Sequence, residues 1–297
     1  MKTAVFWGCH ILTSQFAYEL SLREVLRKLD FDLVELSEST CCGDPIKSVN
    51  DFAATYLGIR ILALTSLEGL SNLLIPCNRC YFTISEAKAT MKNNPKISEK
   101  INALLQEEHL KYDANIKIWH TIDFLHDYVG IEKIKQIVAK PLEGVKVATH
   151  VGCQIIRYDD LERVDNAENP KKLDSLICAL GAATVEYAEK LDCCGSALMH
   201  SHPDSALTLA GSKLKAVQKL SVDGLVVSCP NCQSMFDFKQ RDIELTVGTK
   251  FNIPVVYFTQ LLCIALNVDE KITGLNLNQS PVDQLLSKIQ QNSITDA

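Results

Sequence analysis

The sequence predicts an α/β protein of two pseudo-symmetric, Rossmann-like modules with parallel sheets, and three observations carry that expectation. Short apolar strands alternate with longer segments of helical period. The order of those elements is written twice along the 297 residues. Cysteine is written twice with it, as Cys9, Cys41-Cys42-Gly43, Cys77 and Cys80, then as Cys153, Cys193-Cys194-Gly195, Cys229 and Cys232. The spacings are C-x31-CC-x34-C-x2-C and C-x39-CC-x34-C-x2-C, so two intervals of three agree and one loop has grown.

Taken in order, residues 3–7 read as a buried strand ending at Gly8-Cys9, and 15–29 as a helix with Phe16, Leu20, Leu22, Val25, Leu26 and Leu29 at helical spacing. Residues 32–36 form the next strand, which runs into Cys41-Cys42-Gly43, and 51–70 form a helix rich in Ala, Leu and Ile. The strand at 72–76 ends at Cys77, placing Cys80 in the first turn of the helix that follows. Residues 118–121 read as a fourth strand entering an apolar helix. The second half repeats this with strands at 144–148, 183–187, 225–228 and 256–259. Alternation of this kind implies parallel sheets, whose ligands sit beyond the carboxyl ends of the strands. All ten repeated cysteines fall there. The boundary is expected near 140–144, giving modules 1–140 and 141–297. Beyond Asp269 the pattern lapses, leaving room for one short helix capped at Ser280-Pro281.

Composition narrows the function. A chain that is 47% hydrophobic and 22% charged is a folded globular protein. Its formal charge of −6 and its lack of Lys/Arg blocks argue against a nucleic-acid surface. The apolar run at 4–8 is too short for a signal segment, and nothing approaches eighteen consecutive apolar residues, so no membrane span and a cytoplasmic location are expected. Thiols stay reduced there, which makes these cysteines ligands or redox groups rather than disulfides. No Gly-x-Gly-x-x-Gly or Gly-x4-Gly-Lys-Ser/Thr loop is present, so electrons must arrive from elsewhere.

Two metals suit the pattern. Zinc could take a C-x2-C pair and a CC pair, but a structural zinc site is four-coordinate and leaves the fifth cysteine, Cys9 or Cys153, unused. An iron–sulfur cluster of several irons can use five thiolates if one bridges. The adjacent Gly8, Gly43, Gly152 and Gly195 permit close backbone approach. Cys178 and Cys263 lie outside the pattern and are expected to be small core residues. His10, His150, His200 and His202 stand near the ligands and are candidate proton relays, His150 foremost. Arg79, Arg157 and Lys190 are candidate cations for an acidic substrate.

The motifs Phe6-Trp7-Gly8-Cys9, Pro76-Cys77-Asn78-Arg79-Cys80 and Cys229-Pro230-Asn231-Cys232, on two copies of a CCG domain, resemble the B subunit of heterodisulfide reductase over almost the whole chain. The resemblance implies a catalytic oxidoreductase subunit with two non-cubane 4Fe-4S clusters. Cys9, Cys41, Cys42, Cys77 and Cys80 would hold one, and Cys153, Cys193, Cys194, Cys229 and Cys232 the other. It implies cleavage of a disulfide, coenzyme M–coenzyme B heterodisulfide foremost, to two thiols between the clusters. It also implies two partners in the same complex, a ferredoxin-like iron–sulfur C subunit and a flavin-containing A subunit. Alternatives are a relative acting on another disulfide, persulfide or lipoyl sulfur, an electron-transfer CCG subunit of a fumarate, succinate, lactate or glycolate oxidoreductase, or zinc in one motif.

Overall fold

The computed structural model describes residues 2–157 and 163–295. Each half is a four-stranded, wholly parallel sheet, in the order β2-β1-β3-β4 and then β6-β5-β7-β8. The first half runs β1 (Lys2–Val5), α1 (Cys9–Ser14), α2 (Phe16–Lys28), β2 (Asp32–Glu35), α3 (Asp51–Leu67), β3 (Asn72–Leu74), α4 (Asn78–Asn93), α5 (Pro95–Glu107) and β4 (Lys117–Trp119). It closes with α6 (Thr121–Asp123), a π-helical turn and α7 (Ile131–Ile137). The second half runs β5 (Lys146–His150), α8 (Lys172–Ala179), β6 (Ala183–Val185), α9 (Pro203–Gln218), β7 (Gly224–Val227), α10 (Pro230–Gln233), α11 (Gln240–Val247), β8 (Val255–Tyr257), α12 (Phe258–Ala265) and α13 (Val282–Thr295). Parallel neighbours cannot be joined by a tight turn, so each crossover carries helix. No helix among the described residues is long and apolar enough to cross a membrane.

The central strand β7 is apolar throughout because helices cover both of its faces; its Leu225, Val226 and Val227 are fully buried. Helix α3 is started by Asn50, whose side chain accepts from Ala53 N, and α5 by Asn94, which accepts from Ile97 N and is followed by Pro95. Two expectations needed correction. A separate short helix, α1, precedes α2 where the sequence reading assigns no element. Cys178 is exposed rather than core, because on α8 the buried face is Leu173, Leu176 and Ile177, and one residue further on a helix turns by about 100°. Cys263 is core as expected, and burial pushes its thiol up to about 12.

The halves pack reciprocally, α2 of the first against α12 of the second, and α6 and α7 of the first against α8. Tyr18 and Tyr257 stack across the junction with centroids 4.3 Å apart. Their hydroxyls donate to Thr121 Oγ1 at 3.0 Å and Gln15 Oε1 at 2.6 Å respectively. Ser21 Oγ and Thr259 Oγ1 lie 2.7 Å apart beside them. The link between the halves is also pinned, since Ala139 and Lys140 both donate to the Ala265 carbonyl.

Stability should depend on this junction. Tyr18 is buried and stacked, so Tyr18→Ala is expected to cost about 3–5 kcal/mol in a urea melt; an unchanged midpoint would show that the junction does not carry stability. Asp123 on α6 is buried with Oδ1 unpartnered, and burial pushes its carboxyl up to about 7 from 3.8. Between those values the unfolded chain is ionised while the folded one keeps its proton. Stability should therefore fall as pH rises from about 4 to about 7 and level off above. Asp123→Asn should remove that slope and gain about 2–4 kcal/mol at pH 8, read from melts across the pH range.

Candidate metal centres

In each sheet the chain leaves the first strand to one side for the second and to the other side for the third, so the switch point lies between β1 and β3, and between β5 and β7. Ligand crevices form at the carboxyl ends of such strand pairs. Cys9 opens α1 just after β1, and Cys77 is the N-cap of α4 after β3, with Cys80 in its first turn. Cys41-Cys42 follow β2 and converge on the same crevice. In the second half Cys153 follows β5, Cys229 caps α10 with Cys232 inside it, and Cys193-Cys194 follow β6.

Glycine is needed beside the pairs. Gly43 has φ +96° and Gly195 φ +83°, and a Cβ on either would meet the carbonyl oxygen of Ala54 at 2.7 Å or of Ala206 at 2.5 Å. Each CCG loop thus lies directly on a helix backbone, α3 or α9, with no room for a side chain.

Within the first set the thiols of Cys41, Cys42, Cys80 and Cys77 form a chain of hydrogen-bonding contacts. Cys9 stands at its exposed rim, close enough to act on Cys41 electrostatically. In the second set all five are joined, in the order Cys153, Cys193, Cys194, Cys232 and Cys229. Crowding splits their acidities. Cys42 and Cys193 are pulled down because each takes hydrogen bonds from two thiols, while Cys80 and Cys232 are pushed well above the ordinary value. Five thiolates cannot share such a space without a cation.

A cavity of about 160 Å³ is lined by the whole second set, with Asn78, Arg79 and Asn231 among the other residues of its wall. One water needs on the order of a tenth of that space, so the site has room for a polynuclear group. A lone zinc ion with four thiolates would leave a fifth thiol and most of the volume over. The soft donor set and the space together fit an iron–sulfur cluster. The cavity also joins the halves, because Asn78 and Arg79 come from the first. Asn78 Nδ2 donates to the Val151 carbonyl at 3.0 Å, its Oδ1 is held by His120 Nε2 at 3.0 Å, and a Cβ on Gly152 would strike Nδ2 at 2.6 Å.

Of the histidines, His150 is 2% exposed with Nε2 3.1 Å from Cys232 Sγ. Burial, helped by Lys213, holds it well below its ordinary value, so it is neutral. A ring nitrogen of His150, Cys194 Sγ and Cys232 Sγ lie within 4.8 Å of one another. His10 lies 3.1 Å from Asn231 Oδ1 and 3.2 Å from Ser234 Oγ, in the other half. His200 and His202 are exposed. Arg79 pairs with Asp44 at 2.7 Å, just after the first CCG, while its Nε is buried without a partner. Lys190 is buried in an ion pair with Asp174, and Arg157 donates to the Leu191 carbonyl. Sequence reasoning passed over Lys213, whose signal was a lone cation in the buried stripe Ala206, Ala210, Lys213, Leu214 and Val217 of α9.

A family model described as "CCG: Cysteine-rich domain" matches residues 3–85 and 147–237. The chain is 31% identical, over 98% of both chains, to a protein of Methanosarcina acetivorans named as the B subunit of a Ferredoxin/F(420)H(2)-dependent CoB-CoM heterodisulfide reductase. It is 28% identical, over 93% of this chain and 95% of the other, to the 8-methylmenaquinol:fumarate reductase membrane anchor subunit of Wolinella succinogenes. Among solved structures, a hypothetical protein from Helicobacter pylori shares the fold with TM-score 0.73 at 17% identity, covering 94% of this chain and about half, 52%, of that one. With two cysteine-rich domains and near-complete coverage of such relatives, the chain belongs to the family of heterodisulfide reductase B subunits.

Proposed function

We propose that this chain is the catalytic iron–sulfur subunit of a heterodisulfide reductase, with 1–140 and 141–297 as its two working units. Cys9, Cys41, Cys42, Cys77 and Cys80 would hold one 4Fe-4S cluster of the non-cubane type, and Cys153, Cys193, Cys194, Cys229 and Cys232 the other. The observation that carries this reading is the cavity walled by five thiols of one half and by Asn78 and Arg79 of the other. Bound at the two thiol sets, such clusters would supply electrons one at a time, and two together would meet the two-electron demand of a disulfide. The substrate is CoB–CoM heterodisulfide, the compound in the relative's name.

The chain's own groups do the rest. Arg79 sets a cation between the two thiol sets, fixed by Asp44. With Cys232 ligated as a thiolate, neutral and buried His150, whose Nε2 lies 3.1 Å from that sulfur, would donate a hydrogen to it and moderate negative charge there. The reduced product takes up two protons. Electrons come from a ferredoxin-like C subunit fed by a flavin-containing A subunit of the same cytoplasmic complex. The Wolinella relative favours a second reading, an electron-transfer subunit of a fumarate reductase; it predicts clusters without disulfide turnover.

Anaerobically purified protein should contain about eight irons per chain with acid-labile sulfide, and should reduce CoB–CoM disulfide with a low-potential viologen. Cys42→Ser and Cys194→Ser should each lose about half of the iron and slow turnover by at least about 10–100-fold. Zinc without sulfide, or full turnover in either variant, would sink the proposal.

A further inference from the structure

The two sites differ in the charge built around them. Leading into Cys193, four consecutive carbonyls are each held by a cation. Lys213 Nζ donates to the carbonyls of Glu189 at 2.8 Å, Lys190 at 2.9 Å and Asp192 at 3.0 Å. Arg157 takes that of Leu191. Lys213 is 1% exposed, and among the described residues it forms no ion pair with a carboxylate. The nearby acidic side chains are less shielded: Asp192 is exposed and Glu189 is half-buried, where water screens them. Lys190 is already neutralised by Asp174.

The first site lacks this device. Gly43 rests on Ala54 and Gly195 on Ala206, and seven residues beyond each alanine stand Ile61 and Lys213. Ile61 is fully buried and apolar. Before Cys41 one carbonyl, that of Glu38, is held by a cation, Arg60 at 2.7 Å. Arg60 is itself paired with Glu108 at 2.7 Å, and Arg79, which acts on Cys42 of the first set and Cys229 of the second alike, is paired with Asp44, so among the described residues the first set has no buried cation of its own to match Lys213.

A buried ammonium solvated by three carbonyls keeps its charge. Burial pulls Lys213 down to about 8, opposed by Cys232, Asp192, Cys194 and Cys193, so it is protonated at pH 7 and its field reaches those sulfurs. In a low-dielectric interior that field is barely screened. Every electron added to a cluster deepens its negative charge, and a fixed cation nearby favours the more negative state.

We infer that the two sites are unequal electron acceptors: Lys213 is a positioning residue that orders the segment presenting Cys193 and Cys194 and gives the C-terminal site the higher reduction potential. This rests on the reading above, that both sites hold clusters. An added electron then resides first at the C-terminal site.

The test uses the full chain, purified anaerobically, with iron and sulfide counted first. Redox titration with dithionite, followed by electron paramagnetic resonance, gives the midpoint potentials, and Cys9→Ser and Cys153→Ser assign each signal to a half. The higher midpoint should belong to the C-terminal site. Lys213→Met should lower that midpoint and leave the N-terminal one in place, while Lys213→Arg, which keeps the charge, should restore part of the shift. Equal midpoints, a higher N-terminal value, or an iron-replete Lys213→Met protein with both midpoints unchanged would overturn the inference. If Lys213→Met loses C-terminal iron alone, the ordering role is supported and the assignment in the unaltered protein decides the potential. A chain that holds zinc, or iron without sulfide, overturns the functional reading itself, so the two failures are told apart.

Discussion

Parallel strand pairing is the constraint on which everything else at these sites depends. Because β1 is flanked by β2 and β3, and β5 by β6 and β7, all strands in a half end at the same edge and their crossovers pass over opposite faces. That geometry opens a crevice where the first and third strands end. Cysteines separated by more than thirty residues in sequence are brought together there by the three segments that follow the first three strands of each half. The spacing of the last two motifs, identical in both halves, is the length of one crossover through a helix, α3 or α9, and back through a strand. The variable first interval spans α2 in one half and the longer excursion around α8 in the other, where length is tolerated because it does not set the distance between thiols.

A single half does not complete the arrangement. The cavity of the second set takes Asn78 and Arg79 from the first half, and His10 of the first half leans on Asn231 of the second. These contacts are short and directional, and they depend on the reciprocal packing of α2 on α12 and of α6 and α7 on α8. The stacked pair Tyr18 and Tyr257, with Gln15, Thr121, Ser21 and Thr259 satisfying the polar groups around it, fixes the angle between the sheets. Buried hydroxyls and amides left unpaired at such a junction would each cost about 1–3 kcal/mol, so the network admits one docking geometry. Duplication thus yields one two-sided body.

Much of this was legible in the cysteine repeat and in the alternation of apolar strands with helical periods, because both are local patterns. Strand ends, the CCG turns and the helix start at Cys77 need only sequence neighbours to be recognised. What escaped depended on context that periodicity does not carry. Cys178 sits among apolar residues in sequence, yet its turn of α8 faces outward. Lys213 was not singled out, although its stripe of Ala206, Ala210, Leu214 and Val217 is buried; its partners are backbone carbonyls, which leave no trace in side-chain composition. Asn78 was visible only as part of a motif, since its role lies in a hydrogen bond to a residue 73 positions away. Helix α1 was missed because six residues are too few to show a period.

Two opposing demands explain why the second site is built with so much polar support. Thiols in mutual contact resist ionising together: at an effective dielectric of about 20, two unit charges 4 Å apart repel by about 4 kcal/mol. Ligation nevertheless needs thiolates, so protons must leave as metal enters. Without metal, the sharing of protons within each chain of sulfurs, with Cys42 or Cys193 as the acceptor, is the low-energy compromise. With metal, the loops must hold the same geometry while the charge pattern changes. Glycines fitted against α3 and α9 fix both loops by shape. In the second half Lys213 adds a charge that does not change with ligation, tied to backbone rather than to sulfur. Its loop is therefore held in place independently of the protons on its cysteines, whereas the first half, with Ile61 at that position, relies on shape and on the ion-paired Arg60 and Arg79.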